Sequence, residues 1–442
     1  KMHFSSILIF SLLVFTFASV TIAQSSFKNC KGHVNNYPIA TDEPVFVKAV
    51  ENGKLYLAGG EHVSPKINVV HLWGSPYEMG YAQGQLLKEQ VNGLINDAFQ
   101  WLEESIKDSV PHLPDSWLPI LAHNGTGALL ELTYDLTKDF IEPWFLQELQ
   151  GLADGSGVPY KTLLHANLIP EAIKAHCSMF GSWGKSSKTG KLVQLRALDW
   201  TTNAPFQKYP LVLVYHPDNG TQPSAVQPYG HDFSTVGWAG LIGALTGFSS
   251  APVGICEKVW LHYKGRDSRV GVPWTFLLRD ILQFDQDIDS ALSRIANARR
   301  TCSIFVGVGD GESNQFRAVE YSHDYVEFYN DHNYPLYANH PRMEGLVYID
   351  KHTQPSNDPC FTELLQHYYG EIDPSVTLHN ITSQFQTGDM HIAIYDYLEN
   401  MMYISNAGIY DESTQTVDPA YNRQFTRLDM TQMWNEKKPT NV

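Results

Sequence analysis

The texture of the sequence changes at Cys177. Before it, apolar residues recur mostly at helical spacing; after it, short alternating or continuous apolar runs dominate. Such a chain is confined to α+β architectures in which helices and sheets form separate layers. On the helical side, Gly74-Ser75-Pro76-Tyr77 turns into a helix with an apolar stripe of Leu87, Val91, Leu94, Ala98, Trp101 and Leu102. A second helical run covers Ala128 to Gln150, bent or split by Pro143, and a third covers Tyr160 to Leu168. The stretch from Gln24 to about Lys66 reads as loop with short strand pieces, followed by a strand at Ile67–Leu72. On the strand side, runs are expected at Leu192–Leu198, Leu211–Tyr215, Leu241–Leu245, Val253–Glu257, Cys302–Val308, Arg317–Tyr321, Val326–Tyr329, His391–Tyr397 and Met402–Ser405. Helices are expected at Trp274 to Ala298 and near Cys360–Tyr369.

The junction itself is chemically dense. Cys177 is followed by Ser178, Met179, Phe180, Gly181, Ser182 and Trp183, then by a polar turn from Lys185 to Gly190. Lys191 to Trp200 reads as a strand whose apolar run is interrupted by Arg196 and Asp199. A strand–turn–strand pair would bring both back beside Cys177 as one polar cluster. The plain alternative is a packing cysteine next to an ion pair, since unpaired cysteines are among the most buried residues.

Cysteine usage narrows that choice. Five cysteines are an odd number, so in an oxidising compartment at least one stays unpaired within the chain. Cys256 and Cys302 lie in apolar runs and read as buried strand residues, whereas Cys30 and Cys360 sit in polar surroundings and form the natural disulfide pair. Cys177 is then the thiol without a structural duty. An oxidising compartment is itself expected. Residues 1–23 have the pattern of a secretory signal, with Ile7 to Val20 as the apolar run and Thr21-Ile22-Ala23 before the cut. Asn124, Asn219 and Asn380 each open a glycosylation sequon. No later stretch could span a bilayer. A net charge of −16 argues against a nucleic-acid partner. The 18 histidines show no metal-ligand spacing, and no phosphate loop or Gly-x-Ser-x-Gly elbow is present, so neither metal nor cofactor is expected.

A cysteine at the first position of a processed chain would carry its own base, because a free α-amine titrates near neutrality. That amine could take the thiol proton and later protonate a leaving amine. Arg196 would favour the thiolate, and Asp199 would hold the α-ammonium.

Several separated stretches carry a family resemblance. They are Gly74-Ser75-Pro76-Tyr77-Glu78-Met79-Gly80-Tyr81-Ala82-Gln83-Gly84, Glu148 to Ala153 with Gly157, Cys177-Ser178, Arg196 to Trp200, Gly240 to Phe248 with Glu257, and Tyr337-Ala338-Asn339-His340. In this order they resemble the cysteine N-terminal-nucleophile hydrolases of the acid ceramidase and penicillin acyltransferase type. The resemblance implies an αββα sandwich and self-cleavage between His176 and Cys177. It divides the chain into the signal (1–23), a helical N-terminal segment (24–176) and a catalytic segment (177–442). It assigns Cys177 as nucleophile and base, Arg196 and Asp199 as its partners, Asn339 as oxyanion donor and Glu257 as a supporting carboxylate. It also puts an inter-subunit disulfide on Cys30 and Cys360, joining two chains of one precursor. The implied activity is hydrolysis of a linear amide, most naturally an N-acyl lipid such as ceramide, in a secreted or lysosomal setting, with a lipid-presenting activator protein as a possible partner. Acyl transfer, or a non-catalytic lumenal lipid-binding glycoprotein, are the alternatives. One departure stands out: the stretch Ile349-Asp350-Lys351-His352-Thr353 lacks the second site arginine of the ceramidase branch. Glu257 beside Lys258 also reads as a simple ion pair, and Met179, Phe180 and Trp183 as either packing or an acyl pocket.

Overall fold

The computed structural model describes residues 27–109, 118–172, 175–202, 204–218, 230–261, 263–266, 268–411 and 416–440. The expected signal segment, Asn219 and the side chain of Asn124 lie outside the described residues. Two sheets face each other. The larger is ordered β1 (Val45–Val50), β2 (Gly53–Ala58), β3 (Ile67–Gly74), β6 (Pro210–Pro217), β7 (Phe233–Trp238), β8 (Thr246–Ser249), β9 (Val253–Val259), β10 (Ser303–Asp310), β11 (Gln315–Ser322), β12 (Val326–Tyr329). The smaller is ordered β13 (Leu346–Ile349), β4 (His176–Ser182), β5 (Val193–Asp199), β14 (His391–Asp396), β15 (Met401–Asn406), β16 (Thr426–Asp429). Neighbours pair antiparallel except β3 and β6, which run parallel.

Period-two alternation assigns each strand one residue set per face. Val69, Val212, Val214 and Phe248 of the larger sheet meet Ala393, Tyr395, Met402 and Ile404 of the smaller one in the inter-sheet core. The larger sheet's other face buries Leu72, Leu213, Ile255 and Val306 against helices. These include α1 (Pro76–Leu86), α2 (Lys88–Ser109), α3 (Leu118–Thr137), α4 (Pro143–Ser156), α5 (Tyr160–Asn167), α7 (Trp274–Phe284) and α8 (Ile288–Asn297), with the single turn α6 (Ile169–Ala172). The smaller sheet's outer face packs Phe180, Leu195 and Ile394 on α9 (Cys360–His367) and the turns that follow it. The result is a helix–sheet–sheet–helix sandwich.

Local chemistry accounts for the helix boundaries. Ser75 and Glu78 form a reciprocal capping box that starts α1 at Pro76. Pro143 splits the second helical run, standing at the first position of α4, where its missing N–H costs nothing. Helices α1 and α4 touch backbone to backbone: a Cβ on Gly80 would lie 2.0 Å from the Glu148 carbonyl oxygen, and one on Gly151 would lie 2.0 Å from that of Tyr77. Those glycines belong to the two N-terminal motifs, whose job here is close packing.

Two expectations change. Leu241–Leu245 is a loop, and the strand begins at Thr246. Gly240, at φ +89°, breaks the extended backbone just before that run. The N-terminal segment also does more than supply helices, because β1–β3 form one end of the larger sheet. That segment is stitched to the rest of the chain. The β3–β6 ladder, the Cys30–Cys360 disulfide and the backbone bond from Ala40 to Phe425 all join residues before 176 to residues after 177. Among the described residues no helix is long and apolar enough to cross a membrane. Asn380 is half-buried in a helical turn, and the hydroxyl of Thr382 in its sequon donates to the Leu378 carbonyl.

Candidate active site

The β4–β5 hairpin sets His176 opposite Asp199, Cys177 opposite Leu198, and Met179 opposite Arg196. Its turn closes with a bond from Gly184 N–H to the Gly190 carbonyl, both residues at positive φ. Alternation points Cys177, Met179 and Arg196 toward the larger sheet, and Ser178, Phe180 and Asp199 toward the outer helices. The expected single Arg–Asp–Cys cluster is therefore divided. Residues three apart on a strand lie on opposite faces, so Arg196 joins the thiol from inside while Asp199 stands at the outer side of the strand end.

Cys177 is fully buried among Leu94, Ala98, Leu198, Phe206 and Trp238. Burial pushes its thiol up to about 12, against the pull of Arg196. The intact chain thus holds a protonated, shielded sulfur. Arg196 is likewise fully buried, and none of its guanidinium nitrogens has a hydrogen-bond partner among the described residues. Its nearest carboxylate is Glu257, at 3.7 Å. That contact ties β5 of the smaller sheet to β9 of the larger one. Burial pushes the Glu257 carboxyl up to about 7, with Arg196 and Lys258 opposing.

Asp199 is held by residues nearly two hundred positions away. Its Oδ2 accepts from the Thr387 hydroxyl at 2.5 Å and its Oδ1 from the Gly388 N–H at 2.9 Å. Thr387 Oγ1 is also 2.6 Å from Ser178 Oγ, which links the outer faces of β4 and β5. Burial raises the Asp199 carboxyl despite Lys351 and these bonds. Next to it, burial and the Asp199 charge push Asp389 up to about 7, while its Oδ1 accepts from the Trp200 N–H at 2.7 Å. His391, fully buried, meets Thr246 Oγ1 at 2.9 Å, and burial together with Arg196 keeps its ring neutral. No role falls to Thr387, Gly388 and Asp389 from the sequence; a polar run ahead of a strand is the one signal that could have found them. Lys258, buried beside the cluster, had none.

A narrow apolar cavity opens against this group. Leu198, opposite Cys177, and Glu257 line it. Its walls include Leu94, Ala98, Trp200, Phe206, Trp238 and Leu241. Glu171, Arg269 and Cys302 also line it, and the Cys302 thiol donates to Glu171 Oε2 at 2.9 Å. The loop expected to be a strand, 241–245, contributes Leu241 and Leu245 to this wall. Met179 and Phe180 are packing residues in the inter-sheet and outer cores, and Trp183 leans on the inter-sheet core. Cys256 sits between Gln194 and Met179 in that core, as a buried strand residue. Asn339 is half-buried in a loop, where its amide donates to the Asn357 carbonyl at 2.9 Å and its own carbonyl accepts from Thr362. Its side chain is thus turned to Asn357, not to the Cys177 group.

No family model matches the chain. The chain is 44% identical over 433 residues to protein dcd1A of Dictyostelium discoideum, covering 95% of this chain and 96% of the relative. It is 41% identical over 419 residues to protein dcd1B of the same organism, covering 91% of this chain and 81% of the relative. An uncharacterized protein of Archaeoglobus fulgidus is 22% identical over 301 residues, covering 61% of this chain and 46% of that relative. Among solved structures, a Caenorhabditis elegans N-acylethanolamine-hydrolyzing acid amidase ortholog overlaps 57% of this chain and 100% of its own, at TM-score 0.37 and 12% identity. Penicillin V acylase from Agrobacterium tumefaciens overlaps 58% of this chain and 86% of its own, at TM-score 0.38 and 10% identity.

Proposed function

The chain belongs to the same family as the Dictyostelium proteins dcd1A and dcd1B, and from the residues around Cys177 we propose that it is a cysteine amidohydrolase made as an inactive precursor and cut at His176–Cys177. The observation that carries the reading is the placement of Cys177 at the start of β4, with its sulfur against Arg196 and packed with Leu94, Ala98, Leu198, Phe206 and Trp238, which also line the apolar cavity. In the precursor the thiol is protonated and enclosed. Cleavage would give Cys177 a free α-amine, which titrates near neutrality and can accept the thiol proton. Arg196 would then hold the thiolate, and Asp199, opposite His176, would hold the α-ammonium. Glu257 would keep Arg196 in place through their contact. Asn339 would serve the oxyanion after releasing the Asn357 carbonyl.

The substrate we propose is the linear amide of an N-acyl lipid, ceramide-like. A cavity with aliphatic and aromatic walls suits a hydrocarbon acyl chain. The acyl group would pass to the Cys177 sulfur with release of the amine, and water would then free the acid. The setting is secreted or lysosomal, and the two chains would stay joined through Cys30–Cys360. Mass-spectrometric reading of the N-termini of purified protein tests the proposal. Cys177 at one terminus in the wild type, with Cys177→Ala intact and inactive on N-acyl amides, is the expected result. A Cys177→Ala protein that is still cut, or still hydrolyses the amide, refutes it.

A further inference from the structure

We propose that Lys258 is the cationic subsite that receives the negative charge arising at residue 176 when the His176–Cys177 bond is cleaved. The proposal rests on the self-cleavage reading above and extends it to a residue that reading does not use.

Alternation on β9 turns Glu257 to the helix-side cavity and Lys258 to the side facing the smaller sheet. There Lys258 is 1% exposed. A lysine is almost never so buried without a paired charge. Yet its Nζ donates to a neutral group, the Lys351 carbonyl, at 3.2 Å, and among the described residues no carboxylate comes within 4.0 Å of it. The same carbonyl lies 3.2 Å from His176 Nδ1. Two donors thus converge on one oxygen, and one of them belongs to the residue whose peptide bond is cut.

The surrounding acids are committed elsewhere. On β5, Asp199 accepts from Thr387 and Gly388. On β9, Glu257 faces Arg196. After β13, Asp350 lies 3.4 Å from His352 Nδ1 and accepts the His352 N–H. From β4 the facing groups are the His176 ring and the protonated Cys177 thiol, while the Lys351 ammonium donates to the Gln386 carbonyl. The Lys258 charge has no dedicated partner until cleavage creates one. A fully buried cation without a counter-charge is costly, so the intact precursor is destabilised relative to the cut form.

The steps supply that charge twice. Cys177 Sγ bonds to the His176 carbonyl carbon as the thiol proton leaves, and the carbonyl oxygen takes the electron pair. Collapse breaks the C–N bond, and the departing nitrogen takes that proton to become the Cys177 α-amine. Water then adds to the thioester, the C–S bond breaks, sulfur regains a proton, and His176 is left as a carboxylate with one proton released to solvent. Lys258 faces an oxyanion in the first stage and a carboxylate in the last.

The test uses full-length precursor, with processing followed by reducing gels and mass spectrometry across pH, for wild type, Lys258→Met and Lys258→Arg. Lys258→Met is expected to slow cleavage about 10²-fold, the usual loss for one oxyanion-stabilising group. Lys258→Arg is expected to stay within about tenfold of wild type, and its cleavage should persist to higher pH. Burial lowers the ammonium's pKa, whereas a guanidinium does not deprotonate. A purely structural lysine would not produce that shift, and the arginine profile decides the matter even if Lys258→Met fails to fold. Lys258→Met cleaving at the wild-type rate, or an alkaline limit unchanged in Lys258→Arg, overturns the proposal. Folded wild type that is never cleaved removes the self-cleavage reading itself, and the proposal with it.

Discussion

Replacing Glu257 by Gln should flatten the pH dependence of stability by an amount the structure specifies. Glu257 is 4% exposed, and its carboxyl is pushed up to about 7 by burial, with only Arg196 and Lys258 opposing. In the unfolded chain the same group titrates near 4.3. Its folded pKa is raised, so the folded state binds the extra proton. The stability this confers is complete below the unfolded value and is lost as pH rises through the folded one. Taking those two values, this one group lowers the unfolding free energy by roughly 2.5 kcal/mol between pH 5 and pH 8. Glutamine keeps the shape and stays neutral throughout. Its own fit in the site adds an offset that does not vary with pH, so the slope isolates the titration. The assay is urea unfolding at pH 5 and pH 8 in a Cys177→Ala background, which keeps the chain in one piece. The Glu257→Gln protein should lose about 2.5 kcal/mol less than its parent over that interval. Equal losses in the two proteins would refute the reasoning, because Glu257 would then be ionised in the folded state well below neutrality.

Gly151→Ala should cost more than about 2 kcal/mol of stability by thermal or urea unfolding, because its Cβ would meet the Tyr77 carbonyl oxygen at 2.0 Å. Gly127→Ala, where nothing lies within 4 Å, is the control and should be neutral to stabilising by up to about 1 kcal/mol. Thr387→Val removes the hydroxyl donor to Asp199 and should raise that carboxyl further; the acidic limb of the processing rate should move to higher pH, read from gels across about pH 4 to 7. Leu241→Arg puts a charge on the cavity wall and should cut kcat/KM for a long-chain N-acyl amide at least about tenfold while sparing a short-chain one. Cleaved protein should run as one species without reductant and as two with it, through Cys30–Cys360, and Cys30→Ser should abolish that difference.

What could be read along the chain was local. The β4–β5 hairpin joins neighbours in sequence across one Gly-containing turn, so Cys177 and Arg196 could be placed side by side from the text of residues 175–200. Helix starts at Ser75-Pro76 and Pro143 were likewise legible from capping and proline chemistry. The Cys30–Cys360 pair could be chosen because the other cysteines sit in apolar runs. Strands β1 and β2 were harder, since Val45, Phe46 and Val47 are apolar yet exposed at the sheet edge and show no clean alternation.

The sequence by itself therefore determined the hairpin that sets Cys177 beside Arg196 and the two-texture layering, because each depends on covalent neighbours or on the period of the backbone. The tertiary structure alone decided which face Asp199 takes, and that Thr387 and Gly388 hold it. It also decided that Lys258 shares a carbonyl with His176, and that Leu241 and Leu245 line a cavity together with residues packed on Cys177. Those contacts bridge segments tens to hundreds of residues apart. They arise from how two sheets and their helices stack, which no local pattern encodes.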